Sequence, residues 1–182
     1  MIPVDASPSA AHAAFEQVAG EVVEPVRRYL ARRTDTATAE DVLSEVLLVL
    51  WRRLDAVPAD PLPWAYGVAR NCLANAERSS RRQRRLAAKI AVVDPPSEEA
   101  PGGQATDERV YAALSGLSDR EAELLRLWSW EGLGPSDIGE VLGISANAAS
   151  IRLHRAREKF KDELRKQPGT AGHERLIEGS GQ

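Results

Sequence analysis

The sequence predicts an all-α fold of two small helical domains joined by a flexible acidic linker, the second domain being a helix-turn-helix. In both halves of the chain, apolar side chains recur at the three- and four-residue spacing of a helix face, without strand-like alternation. Residues 94–106 (DPPSEEAPGGQAT) interrupt that pattern and contain three prolines. Such a composition is typical of an extended linker.

These boundaries predict a first domain at residues 10–92, a linker at 93–107 and a second domain at 108–166. The Gly-rich residues 167–182 are expected to be a disordered tail. At 182 residues and 43% hydrophobic content the chain suits two small soluble domains. Cys72 is the single cysteine, and we see no secretory signal or apolar span, so a cytoplasmic protein is expected. We predict no metal ligands, no cofactor and no membrane insertion.

The net charge of −3 conceals two cationic segments. Residues 64–93 carry seven basic side chains against one acid (+6), and residues 145–166 carry seven against three (+4). Between them, residues 94–108 carry five acids and no base (−5). Because local fields attract phosphate, this division suits a nucleic-acid-binding protein despite the negative total.

In the first domain, residues 38–54 place Val42, Leu43, Val46 and Leu50 on one helix face, and Thr38 is predicted to cap the N-terminus. Leu48 and Trp51 lie beside that stripe. They are either further core residues or a docking face for a protein partner.

A Pro-rich loop at residues 57–63 ends that unit, and a second helix is predicted from Trp64. Its polar side is a line of basic residues, namely Arg70, Arg78, Arg81, Arg82 and Arg85. A basic stripe can be a plain solvated face. With Trp64 and Tyr66 at its start, it can equally be a cationic track on which unpaired bases stack.

The second domain has clear helix start and stop signals. Ser118 and Glu121 form a predicted capping box, Gly134-Pro135 begins the next helix, and Ser145 caps the third after the turn at Gly143. On the third helix the predicted packed face is Ala149, Leu153, Ala156 and Phe160. In a helix-turn-helix, the helix after the turn enters the major groove of DNA, and here that is the third helix of the domain.

The opposite face of that third helix carries Asn147, Ala148, Ile151, His154 and Arg155, flanked by Arg152, Arg157 and Lys159. Asn and Arg can contact base edges, and Ile can contact a thymine methyl. The flanking Arg152, Arg157 and Lys159 suit phosphates.

Three ordered segments make a more specific resemblance. Residues 40–51 (EDVLSEVLLVLW), 63–71 (PWAYGVARN) and 153–158 (LHRARE) together resemble an extracytoplasmic-function (ECF) sigma factor of bacterial RNA polymerase, over roughly residues 12–165. The resemblance implies sigma domains 2 and 4. This sequence departs from the family's usual pattern at four positions. Gly67 stands where a long side chain is usual, and the others are Asn75, Ser150 and Ile151.

The resemblance implies three sites. The first would dock on the clamp helices of the polymerase's largest subunit, through Asp41, Ser44, Glu45, Leu48 and Trp51. The second would open and recognise the −10 promoter element, through Trp64, Tyr66, Arg70, Asn71, Asn75 and Arg78. The third would recognise the −35 element as duplex, through Asn147, Ala148, Ser150, Ile151, Arg152, His154, Arg155 and Lys159.

The implied partners are core RNA polymerase, through the clamp helices and the flap, and promoter DNA. The family often adds an anti-sigma factor, and the free chain is expected to be a monomer. The acidic linker is either a spacer or an occupant of the polymerase's cationic channels. A LuxR-type regulator is the main alternative, because residues 117–125 resemble the start of that module. A nucleic-acid enzyme is disfavoured, since the carboxylates are dispersed.

Overall fold

The structure, a computed structural model, describes residues 8–90, 110 and 112–166, with side chains from 10–83, 110 and 112–166. This part of the chain is helical and contains no strand, which confirms the all-α prediction. The helices are α1 (Pro8–Ala31), α2 (Thr36–Arg52), a 3-10 turn (Leu54–Ala56), α3 (Pro61–Ile90), α4 (Asp119–Ser129), α5 (Pro135–Leu142) and α6 (Ala146–Lys166). Residues 112–115 are also helical. The predicted linker and tail lie outside the described residues.

The N-terminal unit is a three-helix bundle of α1, α2 and α3. The predicted stripe of α2 is buried at Val42, Leu43, Val46 and Leu50. It packs against apolar residues of the other two helices, namely Val22, Val26, Leu30, Ala65, Ala69 and Leu73. Burying this apolar area is the main stabilisation of such a bundle.

Helix α2 begins earlier than the sequence suggested, so the prediction that Thr38 caps it is wrong. Asp35 is the capping residue, and its carboxylate accepts a hydrogen bond from the Thr38 backbone N–H at 3.0 Å. The Thr38 hydroxyl donates to the other carboxylate oxygen at 2.7 Å. These hydrogen bonds lower the pKa of Asp35. Asp and Thr both suit a cap, and Asp35 lies in the extended conformation that the position requires.

The C-terminal unit has the predicted helix boundaries. Ser118 and Glu121 form the capping box of α4, and Pro135 occupies the first turn of α5. The turn between α5 and α6 passes through Gly143 with φ of 66°, a left-handed conformation that glycine adopts without steric cost. The Ser145 hydroxyl then accepts from the Ala148 N–H at 3.2 Å, capping α6 as predicted.

The two units pack directly against one another. Helix α3 lies against α5, and a side-chain carbon added at Gly67 would sit 3.7 Å from the Val141 Cα. That is ordinary van der Waals contact, so α3 and α5 approach closely at this position. The buried residues of both units therefore form one continuous apolar cluster. The sequence had predicted only a tether between the domains.

No helix in the described part of the chain is long and apolar enough to span a membrane.

Candidate nucleic-acid and protein interfaces

One face of α2 presents apolar side chains to solvent among acidic ones. Leu48 is 54% exposed and Trp51 is 48% exposed, and Asp41, Ser44 and Glu45 are exposed on the same helix. The Trp51 ring rests edge-on against Phe15 of α1, with centroids 5.3 Å apart. Both apolar residues lie outside the core, so the structure favours the docking-face interpretation over the core interpretation.

The Glu45 carboxylate is also tied to α3. It accepts a hydrogen bond from the Cys72 thiol, and burial followed by the Glu45 charge raises the pKa of that thiol. The cysteine is buried and therefore a packing residue at neutral pH.

The predicted −10 residues of α3 divide into buried and exposed groups. Tyr66 is only 4% exposed, and its ring lies 5.3 Å from the Tyr29 ring of α1. Trp64 and Arg70 are partly buried, whereas Asn71, Asn75 and Arg78 are exposed. In this conformation Tyr66 cannot contact a base, because its side chain is buried against Tyr29 of α1.

The basic stripe of α3 is partly paired within its own helix. Arg78 donates to the Asn75 side chain at 2.6 Å and to the Ala74 carbonyl at 3.1 Å. Arg81 pairs with Glu77 at 3.0 Å. Arg70 and Arg82 have no ion pair among the described residues, which leaves their charges available to an external anion.

Helix α6 presents the predicted faces. Ala149, Leu153 and Ala156 are buried, Phe160 is partly buried, and the opposite face is exposed, with Ala148 half-buried. Arg152 and Arg155 make no ion pair within the described parts of the chain. Base edges in a DNA groove can therefore be contacted by the exposed side chains of this face, namely Asn147, Ser150, Ile151, His154 and Arg155.

Two flanking cations of α6 have partners that the sequence did not suggest. Lys159 forms a 2.8 Å ion pair with Glu121, the capping-box residue of α4. This hydrogen bond, with those from Ser118, lowers the pKa of Glu121 to about 2. The Arg157 guanidinium lies 4.5 Å from the centre of the exposed Trp128 ring. Both cations therefore have intramolecular partners in this structure while remaining exposed, and their assignment to phosphates stays a prediction.

A cleft of about 1010 Å³ runs between the two units. Its lining includes Arg70 from the predicted −10 helix and Arg152 and Arg155 from the predicted −35 helix. The structure therefore brings together side chains that the sequence assigned to two separate sites.

Sequence reasoning missed an ion-pair cluster beside this cleft. It joins Tyr29 of α1, and Arg32 and Arg33 of the turn that follows α1, to Glu123 of α4 and Glu131 of the loop after α4. The partners are 90 to 99 residues apart in sequence. No local pattern could have predicted the cluster. Burial, followed by the Glu123 charge, raises the pKa of Tyr29, so its phenol remains a hydrogen-bond donor.

Two family models match the chain. Residues 14–84 match sigma-70 region 2, and residues 107–160 match sigma-70 region 4. The matches cover the two units of the structure in the same order.

Curated relatives match across both units. The chain is 32% identical to the ECF RNA polymerase sigma factor SigL of Mycobacterium tuberculosis, over 71% of this chain and 76% of that protein. It is 36% identical to the probable RNA polymerase sigma factor RfaY of Xanthomonas campestris, over 74% of this chain and 36% of that longer protein. It is 29% identical to the RNA polymerase sigma factor CarQ of Myxococcus xanthus, over 83% of this chain and 89% of that protein.

Solved structures share the fold. The sigma factor RpoE, in complex with the anti-sigma factor NepR from Bartonella quintana, matches with a TM-score of 0.62 at 20% identity, over 85% of this chain and 98% of that chain. CnrH in complex with the cytosolic domain of CnrY matches with a TM-score of 0.58 at 20% identity, over 87% and 96%.

Proposed function

The chain belongs to the ECF group of the sigma-70 family, and we propose that it directs core RNA polymerase to specific promoters and initiates transcription there. Its two units correspond to sigma regions 2 and 4. The single observation that carries the proposal is the match of both regions, in order, on two helical units with suitable exposed faces. The LuxR-type alternative is not favoured, because it leaves the region 2 match of residues 14–84 unexplained.

The exposed face of α2 is proposed to dock on the polymerase. Leu48 and Trp51 supply apolar area, and Asp41 and Glu45 supply negative charge around it. An apolar centre with a charged rim is the usual anatomy of a protein interface. The clamp helices of the largest subunit are the partner that family membership supplies for this face.

Helix α3 is proposed to open and recognise the −10 element. Asn71, Asn75 and Arg78 are exposed for base and phosphate contacts, and Trp64 and Arg70 are partly exposed beside them. Unstacking a base costs a few kcal/mol. Contacts to the unpaired strand and the cationic stripe would offset that cost. Tyr66 is buried in this structure and can contact a base only after it becomes exposed.

Helix α6 is proposed to recognise the −35 element as duplex. Asn147, Ile151 and Arg155 face outward where base edges would lie, and Arg152 beside them suits a phosphate. This mechanism is binding-driven, with no covalent step in the chain. The protein therefore acts as an initiation factor in the cytoplasm and not as an enzyme.

An anti-sigma factor is a further proposed partner. The sigma factor RpoE of Bartonella quintana was solved with NepR, and CnrH was solved with CnrY. Both share this fold. The exposed Leu48 and Trp51 would be a natural surface for such a protein to cover, since covering them would prevent polymerase docking.

The proposal is tested by run-off transcription with core polymerase on a genomic promoter library. We expect discrete transcripts that depend on this chain and share −10 and −35 sequences. Core polymerase alone is the control. If no template is transcribed above that control, the chain does not act as a sigma factor. If the free chain binds single sites tightly and polymerase adds nothing, a regulator of the LuxR type is favoured.

A further inference from the structure

We propose that Trp128 is a positioning residue for Arg157, and that it holds the Arg157 guanidinium beside the −35 recognition helix so that it binds a DNA phosphate. The inference rests on the proposed function, since it takes α6 as the helix that enters the major groove. Neither residue belongs to the set that the family resemblance implies for the −35 element. We call this pair the Trp128–Arg157 contact.

The Trp128–Arg157 contact joins two helices of the C-terminal unit. Helix α4 packs along α6, and Trp128 lies in the last turn of α4. The guanidinium carbon of Arg157 lies over the Trp128 ring, 4.5 Å from its centre. That distance is inside the range of about 6 Å in which the negative face of an aromatic ring attracts a cation. The contact therefore restricts a long side chain that would otherwise sample many rotamers.

Both members of the contact remain open to solvent. Trp128 is 40% exposed, and Arg157 is exposed on the surface of α6. The rings of Tyr29 and Tyr66, by contrast, are buried in the core. A phosphate can therefore reach the Arg157 guanidinium from solvent.

Arg157 differs from the other basic side chains in the second half of α6. Those others each have a carboxylate partner, namely Lys159, Lys161, Arg165 and Lys166. The Arg157 side chain makes no ion pair or hydrogen bond among the described residues. Because an aromatic ring carries no net charge, the contact with Trp128 leaves the positive charge and the N–H donors of Arg157 available. A guanidinium group can offer such donors to two phosphate oxygens at once.

The position of Arg157 along α6 places it beside a phosphate backbone. At about 3.6 residues per turn, Arg157 lies on one flank of the buried face of α6, and Arg152 lies on the other. The major groove is about 12 Å wide, close to the diameter of about 10–12 Å of a helix with its side chains. A helix in the groove therefore has a phosphate backbone along each flank. Arg152 suits one of these backbones, and Arg157 suits the other.

Trp128 lowers the entropic cost of this phosphate contact. A guanidinium group that is already oriented loses less conformational freedom when it binds than a free one does. Immobilising one such side chain changes affinity by about two- to tenfold. A phosphate contact carries no sequence information. Trp128 thereby raises affinity for any duplex and does not change discrimination between promoters.

The test measures duplex binding by the full-length chain as a function of salt. Anisotropy is followed with two short duplexes of unrelated sequence, starting at low salt, where weak binding is measurable. Arg157→Ala removes the proposed phosphate contact. Arg165→Ala is its matched control, since that exposed cation of α6 is paired with Asp162.

Three substitutions at position 128 separate the aromatic face from apolar volume. Trp128→Ala removes the ring, Trp128→Phe keeps an aromatic face, and Trp128→Leu keeps apolar volume without one. The double variant of Trp128→Ala with Arg157→Ala completes a mutant cycle, which shows whether the two residues act together.

We expect Arg157→Ala to lower the slope of log K against log salt by about one, and Arg165→Ala to leave that slope nearly unchanged. Trp128→Ala should weaken binding to both duplexes alike, by about two- to tenfold. Trp128→Leu should behave like Trp128→Ala, and Trp128→Phe like the wild type. In the Arg157→Ala background, Trp128→Ala should have no further effect, because Trp128 acts through Arg157.

Several results would overturn the proposal. An unchanged salt slope in Arg157→Ala means that this residue contacts no phosphate. Unchanged duplex binding in Trp128→Ala refutes the positioning role. An equal effect of Trp128→Ala with and without Arg157, or full recovery by Trp128→Leu, means that the ring acts through packing. Circular dichroism checks folding, and if Trp128→Ala loses its helical signal, Trp128→Leu decides.

Run-off transcription with the wild-type chain separates this proposal from the proposed function. A wild type that transcribes, with Trp128 variants that bind duplex normally, refutes only the positioning role. A wild type that does not transcribe refutes the sigma assignment, while the salt dependence of duplex binding still reports on Arg157.

Discussion

Arg155 and Lys159 lie one turn apart on α6 but have different surroundings. Arg155 faces solvent opposite the packed stripe, and Lys159 pairs with Glu121 at 2.8 Å. We expect Arg155→Ala to reduce discrimination at one −35 base pair by about 1–3 kcal/mol. Lys159→Ala should instead lower the free energy of unfolding by up to about 1 kcal/mol, the usual value of an exposed pair. Competition binding on singly substituted −35 duplexes and urea denaturation measure the two effects.

The matched control for Arg155→Ala and Lys159→Ala is Lys161→Ala. The ion pair of Lys161 with Glu158 lies within one exposed turn of α6. Uniform weakening across all −35 duplexes for Arg155→Ala would make that residue a phosphate contact and would contradict the orientation of α6.

Glu121 makes stability depend on pH in the acidic range. Hydrogen bonds from Lys159 and Ser118 lower its pKa from 4.5 to about 2 in the folded protein. A lowered folded pKa means that the stabilisation is complete above the unfolded pKa and is lost as pH falls through the folded one. We therefore expect the difference in Tm between wild type and Glu121→Gln to shrink between pH 4.5 and about 2. Thermal denaturation by circular dichroism across that range measures it. A difference that stays constant would show that Glu121 is not preferentially charged in the fold.

At the scale of the helix, α2 combines a buried stripe with an outer face on which Leu48 and Trp51 remain about half exposed. We expect Glu45→Lys combined with Trp51→Ala to abolish co-purification with core polymerase, because both lie on the exposed side of α2. Helical signal should be retained, since the buried stripe is unchanged. Pull-down on immobilised core enzyme measures binding, and circular dichroism measures folding.

Glu24→Lys, a charge reversal at an exposed site on α1, is the control for a general effect of added positive charge. Wild-type recovery of the folded double variant would refute the docking face. Loss of its helical signal would instead mean that Trp51, which contacts Phe15, is needed for folding.

At the scale of the whole molecule, two modest cationic surfaces lie on separate units that share one cleft. We expect the free chain to bind promoter DNA weakly, and core polymerase to raise both affinity and specificity. The physical reason is that each surface is small, while joint engagement of two sites raises the effective concentration of the second contact. Gel-shift titration with and without core polymerase, at fixed salt, measures the change. Tight and sequence-specific binding by the free chain would contradict this expectation.

Most helices of this protein were predicted from the sequence alone, but α1 was not, and α3 begins at Pro61 instead of at Trp64. The capping box at Ser118, the turn at Gly143 and the buried stripe from Val42 to Leu50 each depend on interactions within about four residues. Such patterns are visible in a linear sequence. The same locality explains the error at Thr38, because two neighbouring residues could cap α2 and only the backbone conformation chose Asp35. Family membership likewise followed from three short segments.

The environment of individual site residues was decided by tertiary structure. Tyr66 is buried because it packs against Tyr29 of α1, and Lys159 is paired because α4 brings Glu121 to it. Arg33 meets Glu123 and Glu131 across 90 or more residues of chain. Whether a charged side chain is free, paired or covered depends on which distant elements pack against it. Periodicity within one helix contains no information about that packing, so only the folded molecule could show that the two recognition surfaces share one cleft.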